Sequence, residues 1–455
     1  MEEQVLFFNG INPESGDYLK PARSFRLSPG KRRTPRLVRD DVNIKNLSEA
    51  GWGIIFARGD RRESAIREAM QPLLDRRKNQ ASLHCARRYQ EFTGDRAYRP
   101  GEEKQDFLTR LNIGPGTLDP DRLPYYLLLV GDPKDISFPF QYQLDVPCAV
   151  GRIHFETLDE YERYARSVVE AEIRPPERPR KAVLFGPRHL DDPPTDISVE
   201  HLLEPLTREL KKWPDWETSV VVAEQATKSR LEALLGGAET PSLLFTGGHG
   251  LGFDCGHSRQ KDCQGALLCQ EWRGQGHVAP RECYFSADDV SESASLSGLI
   301  SFHFACYSAG TPAFDGFSPE EDIPIAPEPF LARLPQRMLA HPRGGALAVV
   351  GHVDQACQSS FLWHTAGSQV QTFAHTLWRL QDDYPIGAAM EPMNLRYTEI
   401  SSELFTKRSN GKADEWEDFL NMACHDARNY VVVGDPAVRL PAARKPEKKR
   451  VLRGG

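Results

Sequence analysis

The chain has 455 residues and a net charge of −7, with 40% hydrophobic residues, enough to build real cores. That length exceeds one ordinary core, so two domains or one large elaborated α/β unit is expected. The acidic balance excludes wholesale binding to a nucleic-acid backbone, and no apolar stretch approaches a membrane span.

The amino terminus, Met1-Glu2-Glu3-Gln4-Val5-Leu6-Phe7-Phe8, lacks the basic start and long apolar core of a signal peptide. Nine cysteines are scattered over a large chain, a poor pattern for a stapled secreted protein. A cytoplasmic protein with reduced thiols is the resulting expectation. Residues 1–45 are rich in Arg, Pro and Gly and predict an irregular arm, in which Val5 to Phe8 could add a strand. Trp52 to Ala57 is the first clear strand, followed by helical spacing over 61–78 (Ile66, Met70, Leu73, Leu74). Tyr125 to Val130 is a buried strand closing on Gly131-Asp132-Pro133. Asp145 to Arg152 forms a short strand leading into a helix from Leu158 to Ile173. These elements make an N-terminal α/β domain over 46–174, and the Pro- and charge-rich residues 175–180 form a linker.

The pattern restarts at Lys181, opening a second domain over 181–441. It has strand Ala182–Phe185, helix Ser198–Trp213, strand Ser219–Val222 and helix Lys228–Leu235. Two apolar runs then stop abruptly in small residues. Ser242 to Phe245 ends in Thr246-Gly247-Gly248-His249-Gly250, and Gly298 to Ala305 ends in Cys306-Tyr307-Ser308-Ala309-Gly310. A helix over Phe330–Ala340, strand Ala346–His352, a helical region from Ser368 to about Lys407, helix Trp416–Arg428 and strand Tyr430–Val433 complete the domain. Residues 442–455 are a basic tail expected to be disordered. Continuous apolar strands alternating with helices predict an α/β fold: a mostly parallel sheet covered by helices on both faces, preceded by a smaller α/β domain.

If the two interrupted strands are neighbours in a parallel sheet, His249 and Cys306 emerge together at its carboxyl edge, where open α/β sheets bind ligands. A thiol attacks a carbonyl as the thiolate and needs a base, so the pair has the makings of a nucleophile and its partner. The N–H groups of Gly250 and Cys306 are candidate donors to a developing oxyanion. Taken singly, each residue has a bland reading, a small core cysteine and a structural histidine. Their matched settings favour the functional one. No phosphate-loop lysine follows the glycines, which argues against a nucleotide hydrolase.

Thr246-Gly247-Gly248-His249-Gly250 followed by Phe304-Ala305-Cys306-Tyr307-Ser308-Ala309-Gly310 resembles the caspase-like clan of cysteine peptidases. Within it, the sequence is most similar to the gingipain-type family and the bacterial CHAT peptidases. Leu127 to Asp132, Asp145 to Arg152 and Tyr430 to Leu440 extend the resemblance to roughly residues 120–440. It implies a His249–Cys306 dyad, hydrolysis of protein or peptide substrates through a thioester, and no cofactor. It also implies that the loop 186–196 helps form the primary specificity pocket. An acid there would select Arg or Lys, whereas Arg188 would select Asp. Asp191, Asp192 and Asp196 tilt the expectation to a basic P1 residue, and Asp354 is a further pocket candidate. A regulated bacterial stress or defence protease, restrained by the arm or awaiting an upstream activating protein, follows by family analogy alone. An inactive scaffold that binds a partner protein is the competing reading. The insertion 253–285 carries Cys255, His257, Cys263, Cys269, His277 and Cys283. These match no common zinc spacing, so an irregular flap beside the site is expected and no metal is assigned.

Overall fold

Ten strands line up in a single sheet in the computed structural model. The structure describes residues 3–26, 42–114, 116–176, 178–318, 322–363, 365–409 and 414–441; the expected basic tail lies outside them. In chain order the strands are β1 (Trp52–Phe56), β2 (Tyr89–Phe92), β3 (Tyr126–Val130), β4 (Ala149–Ile153) and β5 (Lys181–Gly186). They continue as β6 (Glu217–Val222), β7 (Leu243–Gly247), β8 (Ile300–Phe304), β9 (Ala348–His352) and β10 (Tyr430–Gly434). Across the sheet the order is β2-β1-β3-β4-β10-β9-β8-β7-β5-β6. Every pairing is parallel except β9 with β10. Two parallel sets therefore run in opposite senses and meet at the last strand of the chain. The expected linker separates these two sets in sequence, yet both belong to one sheet, and one continuous hydrophobic core underlies them.

β1, β3, β4, β7, β8, β9 and β10 are buried along their whole length, which is why they read as unbroken apolar runs. Flanking helices form where the chain offers caps and a buried stripe. Thr157 and Glu160 make a reciprocal capping box that starts the helix Leu158–Ile173 where the spacing predicted it. The predicted helix over 61–78 is two helices, Glu63–Ala69 and Gln71–Ala81, joined at Met70 with Pro72 in the first turn of the second. The helix expected from Ser198 begins instead at Pro193, behind the N-cap Asp192, and runs on to Leu210. It widens into a π turn over Val199–Leu203, just ahead of Pro205, whose missing N–H interrupts the regular ladder.

The arm is more ordered than expected. Glu3–Leu6 pairs antiparallel with Arg23–Arg26, and Gly10–Ile11 joins a four-stranded sheet with Gly250–Leu251, Leu267–Leu268 and Tyr284–Phe285. Ile11 is fully buried in a small core with Leu251, Phe253, Leu268, Trp272 and Tyr284, so the arm and the insertion fold on one another. No described helix is long and apolar enough to cross a membrane.

Candidate active site

β7 and β8 are parallel neighbours in which Gly247 pairs with Phe304. His249 and Cys306 each lie two residues beyond that pair, so the sheet delivers them side by side at one edge. The two backbones then come into direct contact. A Cβ on Gly250 would fall 1.9 Å from the carbonyl oxygen of Cys306, so only glycine fits there. Tyr307 is held at φ 57°, unusual for a bulky side chain, and its N–H donates to Asp354 O at 2.7 Å. That contact fixes the turn that presents Cys306.

Asp192 organises the histidine. Its carboxylate lies 3.0 and 3.2 Å from His249 Nε2 and accepts from the Thr195 hydroxyl at 2.5 Å. Tyr18 of the arm donates its hydroxyl to the same carboxylate. Burial opposes ionisation of Asp192. The attraction to His249 and the hydrogen bonds from His249 and Thr195 outweigh it together and hold the carboxyl far below the usual range. With Nε2 facing a carboxylate, that nitrogen carries a proton, so in the neutral ring the lone pair falls to Nδ1. Nδ1 is buried and has no hydrogen-bond partner. The imidazole is boxed by rings: Tyr18 at 5.7 Å, Trp272 edge-on at 5.8 Å and His189 at 6.5 Å. Trp272 comes from the insertion, which is thus a wall of the site.

Cys306 is fully buried, burial pushes its thiol well above the ordinary range, and the thiol donates to the Ala356 carbonyl at 3.8 Å. What covers it is the arm. Asn9 O accepts from Gly250 N at 2.8 Å and from Cys306 N at 3.4 Å. Both donors singled out in the sequence therefore converge on one peptide carbonyl. The arrangement can polarise a carbonyl, present a thiol to it and accept a proton beside it.

The remaining loop residues lie elsewhere. Arg188 is exposed and forms ion pairs with Asp196 (2.7 Å) and Glu200 (2.8 Å), and Asp191 is exposed at φ 55°. Asp354 is buried, pairs with His425 Nε2 at 3.1 Å and accepts from Gly316 N at 3.1 Å. Asp192 lies against His249. The sequence did carry a signal for it: Asp192-Pro193-Pro194-Thr195 is an N-cap followed by proline at N1. In the insertion, Cys263, Cys269 and Cys283 are buried, Cys255 is exposed and His257 pairs with Glu14. Among the described residues no cluster of three His, Cys, Asp or Glu is arranged to hold a metal ion.

A mostly parallel α/β sheet that brings a histidine and a cysteine together at its edge defines a cysteine-peptidase class of protein. The model of peptidase family C25 matches residues 53–441, and the chain belongs to that family, the gingipain family of cysteine-type endopeptidases. Among solved structures it is similar to the Arg-specific cysteine proteinase gingipain R. The identity is 14% and the TM-score 0.52, covering 90% of this chain and 82% of that one. A second solved protease aligns at 12% identity and TM-score 0.50 over 86% of this chain and 78% of its own. At these identities the likeness is one of fold. A search of curated proteins found no match.

Proposed function

We propose that this endopeptidase cleaves peptide bonds by acyl transfer through Cys306, with His249 as base and then acid. Cys306 Sγ attacks the carbonyl carbon as its proton passes to His249 Nδ1. The oxyanion is held by the N–H groups of Gly250 and Cys306. Collapse breaks the C–N bond, and His249 returns the proton to the leaving amine. Water then hydrolyses the thioester, with His249 again accepting a proton. Asp192 touches no substrate atom in this scheme. It is a positioning residue that fixes the tautomer and orientation of His249.

The observation that carries the reading is the convergence of both N–H donors on one peptide carbonyl above Cys306. An inactive scaffold would have no need of that machinery, although complete burial of the thiol fits an enzyme held latent by its arm. A basic P1 residue keeps only the likeness to an Arg-specific proteinase as support. Of the carboxylates that argued for it, Asp192, Asp196 and Asp354 are bound to His249, Arg188 and His425, and Asp191 is exposed. The test is hydrolysis of an unfolded protein substrate by wild type, Cys306→Ala and His249→Ala. We expect no turnover from Cys306→Ala and at least a 100-fold loss of kcat from His249→Ala. Full activity in a correctly folded Cys306→Ala would sink the mechanism.

A further inference from the structure

We propose that the primary specificity pocket is built for asparagine and that the Asn9–Gly10 bond is the enzyme's own first substrate. This rests on the peptidase reading above and names its substrate class.

The arm lies in the cleft as an extended peptide would. Asn9 N donates to Ala356 O at 3.3 Å, Phe8 pairs antiparallel with Cys357, and Gln358 Nε2 donates to Val5 O. A bound strand that augments an edge in this way gains its affinity from the main chain and its specificity from alternate side chains. At the next position along, Asn9 O takes both the Gly250 and Cys306 N–H groups. Those contacts on the N–H and C=O of one residue define it as P1. The following peptide runs across the thiol: a Cβ on Gly10 would sit 3.2 Å from Cys306 Sγ and 2.6 Å from Leu19 Cδ1. Glycine at that position lets the scissile bond approach the sulfur.

The Asn9 side chain is 1% exposed. Its Nδ2 donates to Ser198 Oγ at 3.2 Å and to Gly248 O at 3.4 Å. Both partners stand on framework already fixed: Ser198 is fully buried on the helix that Asp192 caps, and Gly248 immediately precedes His249. The Gly248 carbonyl can only accept, and a carboxamide supplies two donors. Aspartate at P1 would set an anion against that carbonyl oxygen. Alanine would leave it without its donor. Arginine or lysine would need the helix to move, because Ser198 already meets the third heavy atom beyond Cα. A site built around buried hydrogen bonds discriminates strongly against residues that cannot make them.

The cleavage balances within the chain. The Cys306 thiol proton goes to His249 and the Asn9 carbonyl carbon bonds to sulfur. The bond to Gly10 N breaks, and that nitrogen leaves as an amine with the proton from His249. Water then releases residues 1–9 as a peptide ending in the Asn9 carboxylate and restores the thiol. Gly10 and Ile11 stay anchored by their pairing with Gly250 and Leu251 and by Gly252 N donating to Ile11 O at 2.9 Å.

The experiment follows the intact mass and N-terminal sequence of the purified full chain over time. Wild type is compared with Cys306→Ala, Asn9→Asp, Asn9→Ala and Asn9→Arg. Wild type should lose residues 1–9 and begin at Gly10, and Cys306→Ala should stay whole. Each position-9 variant should process at that bond at least tenfold more slowly. Equal processing of Asn9→Arg, or a wild-type chain that keeps residues 1–9 after prolonged incubation, overturns the proposal. In the latter case, Cys306-dependent hydrolysis of any peptide by the same preparation preserves the peptidase reading. Its absence removes both.

Discussion

Asp192 holds His249: its carboxylate sits 3.0 Å from Nε2, both side chains are fully buried, and it also caps the helix beginning at Pro193. Orientation of the imidazole and the start of a helix therefore depend on one side chain. Asp192→Asn keeps the shape and a capping oxygen but removes the charge that stabilises an imidazolium. We expect kcat to fall by about 10²- to 10⁴-fold with KM little changed, because Asp192 touches no substrate. Steady-state kinetics check this. A rise in KM at unchanged kcat would place Asp192 in substrate binding instead.

Gly250→Ala tests the contact between the His249 and Cys306 turns. The added methyl meets the Cys306 carbonyl at 1.9 Å, so the His249 and Cys306 backbones must separate and the two N–H donors can no longer converge. Loss of one such donor costs about 10²- to 10³-fold in kcat. The expected result is a folded protein with activity reduced by at least that factor, measured beside its circular dichroism spectrum.

The matched strand ends were legible because fully buried parallel strands leave continuous apolar runs, and Gly-Gly-His-Gly and Cys-Tyr-Ser-Ala-Gly interrupt them visibly. β2 was not: Tyr89-Gln90-Glu91-Phe92 is a half-buried edge strand without that signature. The helix Phe138–Leu144 leaves little trace in the sequence because it is largely buried and shows no amphipathic stripe, although Ser137 caps it. The union of both strand sets in one sheet depends on where β10 docks, which no local pattern encodes. Occupation of the site by Asn9 is likewise a contact across some 240 and 300 residues of sequence, to Gly250 and Cys306 respectively.

Asp435, in the Gly434-Asp435-Pro436 turn that ends β10, is a structural hub. It is fully buried and accepts from Arg77 Nε at 2.7 Å, Trp52 Nε1 at 2.9 Å and Ala437 N at 3.0 Å. It thereby ties the end of β10 to β1 and to the helix Gln71–Ala81. Asp435→Ala leaves Arg77 as a buried charge that loses one of its two carboxylates and keeps Glu172 at 2.6 Å, beside a hydrogen bond to Gln80 Oε1 at 2.6 Å. We expect a loss of about 3–5 kcal/mol, seen as a lower urea midpoint. A shift below about 1 kcal/mol would contradict the role.

His303 and Asp145 make opposing contributions to stability in acid. His303 lies on β8 between Thr246 Oγ1 (2.8 Å) and Ser301 Oγ (3.0 Å), and burial pushes it down to about 3. Above the unfolded value near 6.5 it is neutral in both states. As pH falls from there towards 3 only the unfolded chain takes up the proton, so stability is lost. Burial raises the Asp145 carboxyl to about 7, although it accepts from Val150 N at 2.9 Å. The folded chain therefore keeps a proton that the unfolded chain has released, and stability falls as pH rises from about 3.8 to 7. Over the shared window of pH 4 to 6 the two slopes, each about 1.4 kcal/mol per pH unit for one proton, have opposite signs. His303→Gln removes the first and leaves the second. Urea denaturation at pH 4, 5 and 6 should show the gap between wild type and variant widening in favour of wild type as pH rises. A pH-independent gap would mean that His303 does not stay neutral in the folded protein.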